Sequence, residues 1–141
     1  MAEVAQGAQA QESDVVELSV PALPELLLLP RLAAAAIAAR VGFDLEGVED
    51  IRLATEELCL AALDGQGPGR LHLRFAATPT SLEVACTFEP ANGRAPAASR
   101  DTLAAELTEQ LLEALADGHG TDPGPGPVRV WFRKVRHRPE T

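Results

Sequence analysis

The chain has 141 residues, 46% of them hydrophobic, which suits one domain with a real core and leaves little room for a second. Its formal charge of −9 opposes the phosphate neutralisation that general nucleic-acid binding requires, and suits a partner that is itself basic. Aromatic residues are only 4% and tyrosine is absent, so Leu, Val, Ile and Ala must build the core.

Met1 to Asp14 carry acids, no basic residue and no apolar periodicity, which predicts a disordered tail (1–14) and no signal peptide. Alternation from Val16 to Val20 predicts a strand, stopped by Pro21. Pro24 to Arg40 favours helix, with Leu26, Leu27, Leu29, Leu32 and Ile37 on a bed of alanines. Pro24 suits a first helical turn, Pro30 implies a kink or a restart, and Gly42 is a stop. Broken by Pro30 and Arg31, the run is too short to span a bilayer, so a soluble cytoplasmic protein without membrane contact is expected.

The next stretch is the most strongly patterned. Val48, Ile51, Ala54 or Thr55, Leu58, Ala61 and Ala62 recur at three- and four-residue steps, as on an amphipathic helix. Asp44 can cap it, Glu46 suits its first turn, and the turn set Asp64 to Gly69 ends it. Glu56 and Glu57 stand where the helix turns from solvent toward the core, either as a solvated shoulder or as chemistry.

Arg70 to Ala76 and Leu82 to Phe88 alternate as two strands of a hairpin across Thr78 to Ser81. Glu89 to Arg100 is a loop long enough to be functional. Leu103, Leu107, Leu111, Leu112 and Leu115 mark a third helix, ended by Asp117-Gly118. Gly118 to Pro127 is a second flexible loop, Val128 to Arg133 a last strand, and the residues from Lys134 on a basic, frayed tail. The order β-α-α-β-β-α-β, a single domain over 15–134 with a basic tail over 135–141, predicts an α+β fold. It is a two-layer sandwich, one mixed sheet with helices on one face.

Cys59 and Cys86 lack metal-ligand spacing and read as buried free thiols of a reducing compartment. His72, His119 and His137 are far apart and read as bystanders rather than a pH- or metal-responsive module; no metal site is expected. The basic residues Arg129, Arg133, Lys134, Arg136 and Arg138 read as a solvated strand edge that discourages aggregation.

From Val15 to Arg133 the order of elements, and above all the phrase Ile51-Arg52-Leu53-Ala54-Thr55-Glu56-Glu57-Leu58-Cys59, resembles the anti-sigma factor kinases of the RsbW and SpoIIAB type. These belong to the GHKL, or histidine-kinase-like, ATPase superfamily, and the resemblance implies its Bergerat fold. In that family the second helix carries Glu-x-x-x-Asn, an acid as general base and an amide for magnesium. Glu57 falls on the acid, but Ala61 stands where the asparagine is needed, and a methyl group offers a hard cation no oxygen. The family's Asp-x-Gly, whose acid reads adenine, is replaced by Phe88-Glu89-Pro90, and Glu89 belongs to the opposite strand face. Where the family has a glycine-rich approach to phosphate, this chain has Ala105 to Glu109. Glu106 and Thr108 hold those positions, with carboxylates where phosphate would lie.

Three parts of one nucleotide site are thus degenerate together. The resemblance implies an anti-sigma-factor-like regulator that sequesters an RNA polymerase sigma factor, with Glu57 vestigial and no cofactor. Partner contacts would fall at Arg31, which holds the place of a family arginine, and at Leu27 in the apolar run before it. A homodimer and an anti-anti-sigma partner of the STAS fold are implied too. The alternative is an active Mg-ATP-dependent serine kinase of such a STAS protein, with Glu57 as base and Glu56 or Asp64 replacing the magnesium ligand.

Overall fold

The structure, a computed structural model, describes residues 14–92, 102–123 and 127–137. The expected N-terminal tail through Ser13, most of the loop after Asn92, and residues 138–141 lie outside them. Strand β1 (Asp14–Pro21) leads through a 3-10 turn (Pro24–Leu26) into helix α1 (Leu28–Val41) and then α2 (Leu45–Leu63). Strands β2 (Gly69–Ala77) and β3 (Ser81–Pro90) precede α3 (Thr102–Leu115), β4 (Gly118–Asp122) and β5 (Arg129–Val135).

The α+β two-layer arrangement is as expected, with the strands in the order β1-β2-β3-β5-β4. Every neighbouring pair is antiparallel, so the sheet is antiparallel where a mixed one was expected. β4 replaces part of the expected Gly118–Pro127 loop. Its residues Gly118-His119-Gly120-Thr121-Asp122 lack an apolar alternation, and it is the ladder to β5 that makes them a strand. Gly120 sits under Trp131, where an added Cβ would come within 3.0 Å of the indole.

One face of the sheet carries the core. Leu71, Leu73 and Phe75 of β2, Leu82, Val84 and Cys86 of β3, and Phe132 of β5 are all at most 1% exposed. They meet Ile51, Ala54 and Leu58 of α2, each fully buried. At about 1.5–3 kcal/mol per large aliphatic or aromatic side chain, this contact dominates the fold's stability. Ala34 and Ala38, also fully buried, give α1 a small-residue face on which it can approach its neighbours closely. Thr55, buried mid-helix, donates its hydroxyl to the carbonyl of Ile51 at 2.8 Å, so its oxygen is not left unpaired.

The helix ends follow local chemistry. The backbone N–H of Gly47 donates to the Asp44 carboxylate at 2.8 Å, the N-cap expected of α2. Gly42 closes α1 at φ 105°, a left-handed position that disfavours a side chain. Pro30 causes no interior kink. The chain restarts as an α-helix at Leu28, so Pro30 falls in the first turn, where its missing N–H has no helical partner to lose.

The C-terminal segment is also better anchored than a frayed tail. Lys134, only 16% exposed in its side chain, donates to Asp50 of α2 at 3.1 Å and to the Leu115 carbonyl of α3 at 2.8 Å. Val135 ends β5, and the Arg136 backbone donates to Thr80.

The glycines at the β2 entrance differ sharply. A Cβ on Gly69 would lie 2.2 Å from the Glu89 carbonyl and 2.6 Å from the Phe88 ring, whereas one on Gly67 would meet nothing within 4 Å. Gly69→Ala should therefore lower the unfolding free energy by about 1–3 kcal/mol in urea titrations. Gly67→Ala should change it by no more than about 0.5 kcal/mol.

Candidate functional site

Helices α2 and α3 run antiparallel, since Lys134 joins Asp50 near the start of α2 to Leu115 at the end of α3. Between them opens a cleft of about 440 Å³. From α2 it is lined by Glu57 and Ala61, one turn apart, with Leu60 and Asp64; from α3 it is lined by Ala104, Leu107, Thr108 and Leu111. The fold thus gathers three of the residues expected at a nucleotide site, namely Glu57, Ala61 and Thr108.

It does not gather the others. Glu106 is exposed on α3 and does not line the cleft. Phe88 is 5% exposed and belongs to the core, its ring against Gly69. Pro90 pairs with Gly69 at the end of β3. Glu89, the neighbour that might have replaced the lost adenine-reading acid, points to the other sheet face, where its carboxylate lies 2.6 Å from His72 Nε2.

The electrostatics of the cleft are acidic. Burial, and then the charge of adjacent Glu56, hold the Glu57 carboxyl above its ordinary pKa. Among the described residues no Lys or Arg lines the cleft, while Glu57 and Asp64 do. A nucleotide's phosphates would meet like charge in this cleft, and its magnesium would find a methyl group at Ala61. The residues present do not fit Mg-ATP. Among the described residues, no three His, Cys, Asp or Glu side chains converge to hold a metal.

The three histidines stay apart, each beside its own carboxylate: His72 with Glu89, His119 with Glu113 at 3.0 Å, and His137 with Asp117 at 3.8 Å. Cys59 and Cys86 are both buried and free, and hydrogen bonding between the two thiols, followed by desolvation, pushes the Cys59 thiol well up. Burial and the raised pKa keep the Cys59 thiolate scarce at neutral pH. Arg129 bridges Glu83 at 2.9 Å and Asp122 at 2.8 Å, so that part of the basic C-terminal stretch is internally paired.

The expected partner contacts fall on α1 with one correction. Leu27 is 5% exposed and lies in the core, because the restart of the helix at Leu28 turns it inward. Leu28, Leu29 and Leu32 take the outward positions, at 51%, 45% and 55% exposure. Arg31 lies beside them, its Nε 3.9 Å from Glu56 of α2 and its side chain 29% exposed. Sequence reasoning also missed the second set of exposed leucines, Leu103, Leu107 and Leu111 on α3. Their four-residue spacing was a signal, but among the described side chains of that helix only Leu112 is buried, and the periodicity cannot say which of two stripes faces the sheet.

No family model matches the chain. It is similar to the serine-protein kinase RsbW of *Bacillus velezensis*, 31% identical over 75 residues, covering 50% of this chain and 47% of that protein. Similarity to RsbW of *Bacillus subtilis* is 32% identity over 76 residues, covering 51% and 48%, and to RsbW of *Listeria monocytogenes* 33% over 75 residues, covering 50% and 48%. The matched region thus spans about half the length of these relatives. The crystal structure of the RsbU and RsbW domains of Rv1364c from *Mycobacterium tuberculosis* superposes with a TM-score of 0.67 at 15% identity. The match covers 90% of this chain and 34% of that one, and establishes the shared fold. The chain is thus similar in sequence to RsbW serine-protein kinases over about half its length, and shares its fold with a structure that contains an RsbW domain.

Because the folded-state pKa of Glu57 is raised, its protonated form favours folding. That stabilisation is full below the ordinary glutamate value, about 4.3, and is lost as pH rises through the raised one. Glu57→Gln keeps the side chain neutral, so the variant should melt above the wild type at neutral pH. The gap should close on acidification, as thermal melts across pH will show.

Proposed function

We propose that this chain, similar in sequence to the RsbW serine-protein kinases, is an anti-sigma-factor-like regulator that holds an RNA polymerase sigma factor without using Mg-ATP. The observation that supports this reading is the pairing of a cleft poor in groups that could hold Mg-ATP with an exposed apolar face on α1. Ala61 offers magnesium only a methyl group, while Leu28, Leu29 and Leu32 stand exposed on α1.

Arg31 flanks that face. Its guanidinium lies in a long ion pair with Glu56 at 3.9 Å and can turn its donors to a partner carboxylate. The net charge of −9 attracts a basic partner over long range, as DNA-binding sigma regions are. Without phosphotransfer, release rests on competition, for which a STAS-fold anti-anti-sigma protein is the candidate. A homodimer and a cytoplasmic location complete the reading. Among the described residues no helix is long and apolar enough to cross a membrane.

A second reading, an active serine kinase of the STAS protein, draws on one observation. Glu57 does line the cleft, with its pKa raised toward the range of a general base. The two readings separate in a thermal-shift titration with Mg-ATP. A kinase held at a hundred times its dissociation constant gains about 2.7 kcal/mol, a shift of several degrees. No shift at millimolar nucleotide is the expected result, and a clear shift with phosphotransfer abolished by Glu57→Ala would replace the regulator with the kinase.

The binding face is tested with the sigma factor encoded nearest to this gene. Leu28→Ser combined with Leu32→Ser should weaken the complex at least tenfold, about 1.4 kcal/mol, with an unchanged melting temperature. Arg31→Ala should also weaken it. Unaltered affinity in both variants, measured by calorimetry, would remove α1 as the contact.

A further inference from the structure

The cleft between α2 and α3 is more than a degraded nucleotide site. Leu103, Leu107 and Leu111 follow one another at four-residue steps along α3 and are 61%, 51% and 42% exposed. Leu60, on the facing side of α2, is 42% exposed and lines the cleft together with Leu107 and Leu111. Three large leucines, Leu60, Leu107 and Leu111, line one groove as an apolar seam, and a seam between two antiparallel helices accepts a third helix by knobs-into-holes packing.

The charges around the seam select the occupant. The described side chains of α3 include no cation, and Glu106 and Glu109 lie on the same helix as the leucines. Glu57 lines the cleft from α2. A second copy of this chain would bring the same carboxylates against one another, and an anionic bilayer would be repelled in the same way. Complementarity is met by a helix with leucine-like residues on one face and Lys or Arg along its flanks.

We propose that the α2–α3 seam is a docking groove for a basic amphipathic helix of a partner protein. It is separate from the α1 face, so either surface can fail its test while the other stands. The partner's apolar stripe covers Leu60, Leu107 and Leu111, and its cationic flanks meet Glu57 and Asp64, the two acids that line the cleft.

The probe is a synthetic leucine–lysine amphipathic peptide of the same length as α3, with its leucine–glutamate counterpart as control, followed by fluorescence anisotropy. The lysine peptide should bind the wild type and the glutamate peptide should not. Leu107→Ser with Leu111→Ser should weaken binding at least tenfold while leaving the melting temperature unchanged, because both side chains are exposed. Glu57→Gln with Asp64→Asn should weaken it further than Glu25→Gln with Glu46→Gln, a pair of equal charge placed off the seam.

Three results would overturn the proposal. Equal loss in the two charge pairs would mean attraction to general acidity. Binding abolished by the α1 pair Leu28→Ser and Leu32→Ser, and untouched by the seam pair, would place the peptide elsewhere. A concentration-dependent dimer in sedimentation that disappears with the seam pair would make a second copy the occupant.

Discussion

The fold depends on one buried stripe. Ile51, Ala54, Thr55 and Leu58 of α2 are fully enclosed, and they rest on the inward side chains of β2, β3 and β5. α1 packs along α2 through its alanines, α3 lies against its other side, and Lys134 ties the start of α2 to the end of α3. A helix embedded on three sides can leave only one narrow face free. That free face carries Glu57, Leu60 and Asp64, so the same geometry that makes α2 the core element also makes it the floor of the cleft.

The same packing fixes what the neighbouring positions can carry. Ala61 is 6% exposed and supports packing as well as any small residue would. Phe88 sits on the inward face of β3, where a phenyl ring adds apolar burial and a carboxylate would carry a desolvation cost unless a ligand satisfied it.

The surface tells a complementary story. Carboxylates and exposed leucines share the helical layer, while on the open sheet face the charges are largely matched in pairs such as Arg129 with Glu83 and His72 with Glu89. Exposed pairs of this kind contribute little to stability and mainly keep the sheet face polar. Most of the exposed large apolar side chains lie on the helices, which is where both proposed docking surfaces fall.

Much of this was legible in the sequence. The three-and-four spacing from Val48 to Ala62 located the central helix, Asp44 its cap, and the alternation after Gly69 the hairpin, because these follow from side-chain period and local hydrogen bonding alone. The residue types at Ala61 and Phe88 were equally plain, but it took the fold to set Ala61 in the cleft and Phe88 in the core. Only the tertiary structure turned Leu27 into the core and Leu28 out of it, because a 3-10 turn shifts helical phase by a fraction of a residue that periodicity does not resolve. It alone made Gly118 to Asp122 a strand, through pairing with β5 rather than through side chains of its own. And it alone decided which leucines of α3 face water, because an amphipathic pattern names the faces of a helix while the neighbouring elements determine which face is covered.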